Sequence, residues 1–284
     1  MISRVIRLFK IARKLSTSGA VETINQIHNL PILLNIFFNI ISIGSEKRVS
    51  VDNGKPGEKL CVALEGMGTT FIKLGQFLAT RPDIIGEETA KNLEKLQDKL
   101  PAFDTYHAKK IIKKEIGETQ YNNISELSEP IAAASIAQVH IAKIKDENKN
   151  KEVAIKILRP NIEKLFNEEL DALMLFAYIV ENTFAKAKRL KLVEVVYLLR
   201  EITNVEMDLR FEAAAANELY ENTKNDKGFN VPKIYWNYTT KKILTLDKVN
   251  GVSIREYKKI KETGIDLKIL AENLIQHFLK QAIR

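Results

Sequence analysis

Apolar residues recur at helical intervals through the first hundred positions, and the pattern changes texture only after Pro130. Ile2, Val5, Ile6, Phe9 and Ala12 share one face of a predicted helix, with Arg4, Arg7, Lys10 and Lys14 on the other. A second apolar run, Leu30 to Gly44, is interrupted by Asn35 and Asn39. It is shorter than the ~20 residues a bilayer-spanning helix needs, so it predicts a buried or interfacial helix. Residues 1–44 thus read as two helices and 45–57 as a polar loop. Between Glu58 and Thr80, Leu60, Leu64, Met67, Phe71, Leu74 and Leu78 mark one helix. Arg81-Pro82 stops it, because a residue before proline avoids helical backbone angles. Helices over 86–96 and 104–116 follow, the last ended by Gly117.

Beyond Pro130 the chain alternates. Residues 131–144 and 152–158 predict two strands joined by the polar stretch KDENKNK. Helical spacing returns over 161–187 and 192–223, a short β pair over 232–237 and 242–247, and helices over 253–262 and 266–283. There is no internal repeat and no low-complexity tract. Helices, two strands, long helices, two strands and a helix predict an α+β fold. That order is the skeleton expected of a kinase-like N-lobe, a small antiparallel sheet plus long helices, with a helical N-terminal extension and most of a C-lobe missing. The expected divisions are 1–57, a helical region able to lie on a membrane surface; 58–117, a helical extension; 118–252, the kinase-like lobe with inserted helices; and 253–284, the start of a second lobe.

Composition narrows the function classes. The net charge of +8 admits an anionic partner, though a lysine-rich surface accounts for it equally. No basic run is interleaved with aromatics, so nucleic acid is not an expected partner. Cys61 is the single cysteine, which excludes an intrachain disulfide and suits a reducing compartment. His28, His107, His140 and His277 are scattered without ligand spacing, so no metal site is expected in this chain. The basic amphipathic N-terminus could rest on anionic lipid or simply pack on the domain.

Four stretches could carry chemistry. In EVAIKIL, Val153, Ile155 and Ile157 point one way and Lys156 the other. A lysine so placed reaches nucleotide phosphates in kinases, and on an isolated strand is only a solvated edge. In NVEMDLRFEAAAANEL, read as one helix, Glu206 and Asp208 diverge while Asp208 and Glu212 share a face beside four alanines. A surface acidic cluster is the plainer reading. In GMGTTFIKLGQFLATRPDII, Gly66, Gly68 and Gly75 each cost ~1 kcal/mol within a helix, a cost borne where a backbone or ligand approaches. Lys73 and Gln76 flank Gly75 and could face one anionic target, or Lys73 could be an exposed residue of a packing helix. In EPIAAASIAQVHIAKI, alanines stand where a phosphate-cradling loop carries glycine.

In this order and spacing, KLGQ, AAASIAQVH, VAIK and VEMD…EAAAAN resemble the UbiB family of atypical kinase-like proteins. The resemblance runs from about residue 10 to the last residue. It implies that Lys73, Gly75 and Gln76 form the family's KxGQ motif, on a helix folded over the nucleotide pocket. Glu206 and Asp208 would be the ExD motif facing that lysine. Lys156 would contact phosphate with Glu212 as its helix partner. The alanine-rich loop, Ala132, Ala133, Ala134 and Ser135, would replace the glycine-rich one, and its neighbours Ile131, Ile136, Ala137, Gln138 and Val139 would complete the nucleotide lining. ILTLDKVNG resembles the hinge, so Leu246 to Val249, with Asp247, would pass the adenine.

Alanine resists positive φ, so a restricted loop, slow ATP hydrolysis and poor protein phosphorylation are expected. The implied cofactors are ATP or ADP, with Mg2+ in the full-length family. The implied partners are an anionic membrane surface and ubiquinone-biosynthesis proteins, at the cytoplasmic face of a bacterial inner membrane. Family members continue into a loop resembling HADxHPGN, a DFG and membrane-spanning helices, whereas this sequence stops at LIQHFLKQAIR. The general-base aspartate and the metal ligands would then be missing. The expectation is an N-terminal fragment, inactive alone, with Leu274, Phe278 and Leu279 partly exposed and a separate C-terminal fragment as a possible companion. Two alternatives are a non-catalytic membrane-associated scaffold and a decaying product with no stable fold.

Overall fold

A computed structural model describes residues 2–18, 20–28, 31–43, 55–96, 100–146 and 149–283. The N-terminal stretch forms three helices where two were expected: α1 (Ile2–Thr17), α2 (Ala20–His28) and α3 (Ile32–Ser42). α1 is apolar on more than one side. It packs inward through Ile11 and Ala12, while Val5, Ile6 and Phe9 are exposed. The Arg7 guanidinium pairs with Glu168, and Ser16 donates to the Phe38 carbonyl at 2.8 Å.

The single helix expected from Glu58 to Thr80 is two, α4 (Pro56–Met67) and α5 (Thr69–Ala79). Gly68, at φ 101°, divides them in a conformation that a Cβ would strain. α6 (Pro82–Ile85) and α7 (Glu87–Leu93) follow. The chain then passes through α8 (Thr105–Tyr121), kinked at Gly117, and a run of strands before α9 (Ile162–Thr183) and α10 (Leu192–Glu206).

Two compact units result. The first combines residues 1–104, 132–138 and 158–207. Its core is Leu64, Phe71, Ile72, Leu93, Phe166 and Leu199, each almost fully buried. α9 is the central post, packed by α1, α5 and α10. Asp171 of α9 pairs with Arg200 of α10 at 2.7 Å.

The second unit combines 105–131, 139–157 and 208–284. Its frame is antiparallel and made of β1 (Ile124–Ser125), most of β3 (Ala137–Asp146) and β4 (Lys149–Leu158), and β5 (Ile243–Asp247), while β2 (Ala132–Ala133) belongs to the first unit. The order is β1-β3-β4-β5, with β2 also on β3. The expected alternation in β4 holds, since Val153, Ile155 and Ile157 are fully buried and Lys156 between them is not. Lys156 lies opposite Leu244 and Val153 opposite Asp247.

The strand expected over 232–237 is reduced to one bridge, Ile234 to Leu246, and a tight turn at Trp236–Tyr238. Pro232 lacks the N–H that a paired strand would need there. The helix expected over 192–223 is also two. Asp208 leaves helical angles at φ −119° and caps α11 (Leu209–Thr223) by accepting from the Arg210 N–H. α12 (Tyr257–Glu262) and α13 (Leu267–Ile283) end the described chain. His277 is the buried residue of α13, against the Phe229 ring, while Leu274, Phe278 and Leu279 are half or more exposed.

Candidate functional site

In the first unit, Lys73 projects from the middle of α5 and meets Glu206, the last residue of α10. The ammonium donates to Oε1 at 3.3 Å, while Oε2, nearer at 2.9 Å and closed off from solvent, is held by charge without an aligned hydrogen bond. Lys73 therefore already faces one of the protein's own carboxylates. Gln76 is half-buried one turn on. The three glycines serve different ends. Gly68 breaks the helix, a Cβ on Gly66 would meet open space, and one on Gly75 would collide with Leu96 Cδ1 and come within 2.8 Å of Leu64 Cδ1. Close packing is what Gly75 admits. Gly75→Ala should gain ~1 kcal/mol of helix propensity and lose ~1–3 kcal/mol to overpacking. A net destabilisation of about 1 kcal/mol is expected in urea unfolding.

The alanine-rich loop is a closed hairpin. The Ala134 N–H donates to the Ala137 carbonyl at 2.8 Å, and the Ile131 N–H to Val139 at 2.8 Å. None of Ala132, Ala133 and Ala134 has positive φ. Ser135, Ile136, Ala137 and Gln138 are buried, whereas Ile131 is 61% exposed. Three side chains fasten the turn. Thr69 donates to the Ser135 carbonyl at 3.3 Å, and Gln138 both donates to and accepts from the Phe103 backbone, at 3.0 and 2.8 Å. Arg159 donates from Nε and Nη2 to the Ala134 carbonyl, at 3.0 and 2.8 Å, and from Nη2 to Pro101 at 2.9 Å. The Ile131 and Ala134 N–H groups are thus both engaged within the hairpin.

In the second unit, Lys156 on β4 is gripped by both oxygens of Glu212 on α11, at 2.9 and 2.7 Å. The side chains are 28% and 49% exposed. A pair that open adds only ~0–1 kcal/mol of stability. Its consequence is positional, because it fixes an ammonium on the sheet in a defined direction.

Asp208, expected to share a helix with Glu206, is instead the cap of α11 and is forked by Arg210, at 2.9 Å from Nε and 2.6 Å from Nη2. That guanidinium holds its carboxyl below the usual aspartate range. Asp247 accepts from the Tyr235 hydroxyl at 2.6 Å and from the Lys233 N–H at 3.3 Å, while Val249 is 64% exposed.

Burial and the Asp247 carboxylate push the Tyr235 phenol up to about 12. An acid whose pKa is raised by folding is held protonated in the native state while the unfolded chain ionises. Stability should therefore fall as pH rises from about 10 to about 12. Tyr235→Phe should lose about 1 kcal/mol at neutral pH. Its deficit relative to the parent should shrink across that alkaline interval, as read by paired denaturant titrations.

Residues 95–284 match the family model described as the ABC1 atypical kinase-like domain. The chain belongs to the ABC1 atypical kinase-like family. Over its whole length it is 34% identical to a Marinobacter nauticus protein named "Probable protein kinase UbiB", covering 51% of that protein. Proteins of the same name from Azotobacter vinelandii and Pseudomonas entomophila are 36% and 35% identical, each over 80% of this chain and 42% of the relative. The chain spans about half the length of the curated relatives it matches.

For an ABC1-family chain the implied groups are a nucleotide and Mg2+. The donor set on β4 and α11, an ammonium oriented by a carboxylate, fits a nucleotide phosphate. The carboxylates do not fit Mg2+ as they stand. Glu206 is neutralised by Lys73 and Asp208 by Arg210, and among the described residues no group of three or more His, Cys, Asp or Glu could hold a metal ion. Arg159 and Thr69 are residues that the spacing of apolar positions does not mark. Of these, only Arg159 carries a local signal, a cation directly after a buried strand and before a proline.

Proposed function

We propose that this ABC1-family chain carries the nucleotide-contacting face of a kinase-like ATPase serving ubiquinone biosynthesis. The Lys156–Glu212 pair is the observation that carries this reading. Lys156 would take the nucleotide's phosphate oxygens while Glu212 holds its direction, and Asp247 to Val249 would run beside the base. In the alanine-rich loop the Ala134 N–H is already spent within the hairpin. Slow ATP hydrolysis suits that geometry better than protein phosphorylation. The name carried by the relatives, and the four motifs, support the assignment to ubiquinone biosynthesis.

ADP and ATP, each with and without Mg2+, should raise the melting temperature of the purified chain. Lys156→Ala should abolish that rise, and Lys227→Ala, on the far side of α11 in sequence, should not. A chain that melts identically with and without nucleotide would sink the proposal, as would an undiminished rise in Lys156→Ala.

A second reading, peripheral attachment to an anionic membrane surface at the cytoplasmic face, is favoured by the apolar residues that α1 and α3 leave uncovered. Ile6, Phe9, Ile32, Leu33, Ile36 and Ile40 are each about half or more exposed. Among the described residues, no helix is long and apolar enough to cross a membrane. Co-sedimentation with anionic vesicles should fall when residues 1–15 are deleted, and indifference to that deletion would count against attachment through α1.

A further inference from the structure

The helices of the first unit do not close fully on one another. Between α1, α3, α4, α5, α9 and α10 they leave a cavity of about 620 Å³, within the ~300–1,000 Å³ typical of small-molecule sites. Leu15, Leu34, Phe71, Leu78, Leu173 and Val196 are among its walls, and among the described residues every other lining residue is apolar except Arg189. Water finds too few polar partners in such a space to fill it stably. An apolar occupant would cover that surface, which water wets poorly.

Arg189 says where such an occupant would end. It lies in the tight turn Ala185–Leu190 and is exposed to solvent, so among the described residues the wall carries a cation where the cavity meets water. The lining is thus apolar within and cationic at the mouth. We propose that this cavity holds the hydrocarbon chain of a single-chain amphiphile whose anionic head group rests against the Arg189 guanidinium. The site is separate from the Lys156–Glu212 pair and stands or falls without it.

The test titrates the full chain with a fluorescent long-chain fatty acid, and with its uncharged methyl ester, below the concentration at which either forms micelles. Both should bind saturably and one to one, the acid about tenfold more tightly. Ala177 is a buried lining residue of α9. Ala177→Phe should fill the cavity and weaken both ligands at least about tenfold. Arg189→Gln alters only an exposed side chain, so it tests the site even if Ala177→Phe fails to fold. It should bring the acid to the affinity of the ester and leave the ester unchanged. Absence of saturable binding would overturn the proposal. So would binding indifferent to a folded Ala177→Phe, or an acid preference that persists in Arg189→Gln.

Discussion

Arg159→Ala is expected to unfasten the alanine-rich loop and lower stability by about 2–3 kcal/mol. The guanidinium serves the Ala134 and Pro101 carbonyls at 2.8 to 3.0 Å, and approaches Leu100 at 3.4 Å. Hydrogen bonds to a charged group contribute ~1.5–3 kcal/mol each. The half-exposed carbonyls would regain water, which brings the sum down to the stated loss. Arg159→Lys should recover less than half, because an ammonium cannot fork to carbonyls on two segments at once. The loop-specific readout is amide exchange at Ala134, whose N–H is closed onto Ala137. It should accelerate in Arg159→Ala by more than the global loss explains. Unchanged exchange at Ala134 would mean that Thr69 and Gln138 hold the turn unaided.

Glu206→Ala should cost about 2 kcal/mol by leaving the Lys73 ammonium, 15% exposed, without its carboxylate. Removing one partner of a fully buried pair costs ~3–5 kcal/mol. The lower figure applies because the Glu206 side chain is 36% exposed, so water can reach part of the space. Lys73→Met should cost less, since the Glu206 carboxylate lies nearer to water than the ammonium does. The double variant Lys73→Met with Glu206→Met should return to within about 1 kcal/mol of the parent, as apolar replacements of buried pairs do. A double-mutant cycle from urea titrations reads the coupling directly. A coupling near zero would reduce the pair to two adjacent surface charges.

The features legible in the sequence are those that one local rule decides. Alternation in EVAIKIL places Lys156 opposite three buried residues, and Pro82 stops α5 because of backbone sterics alone. What escapes depends on partners distant in the chain. Gly68 reads as a helical position because the apolar spacing continues across it, and only its φ shows that the axis changes there. Asp208 reads as mid-helix for the same reason, although capping chemistry is written in its short carboxylate two residues before Arg210. The inward face of α1 is not legible because the helix is apolar on more than one side, and the choice among faces belongs to α9. The local signal at Arg159 does not show what it clamps, since the carbonyls it serves lie about 25 and 58 residues away.

The hairpin of alanines has a consequence on the unfolded side of the equilibrium. Since none of Ala132, Ala133 and Ala134 needs a left-handed conformation, each could be glycine without altering the folded backbone. Each alanine instead narrows the unfolded ensemble, which favours folding by ~0.4–1 kcal/mol per position relative to glycine. Part of the loop's fixity therefore comes from states in which the loop does not exist. It would persist even in a variant stripped of every side chain that fastens the turn.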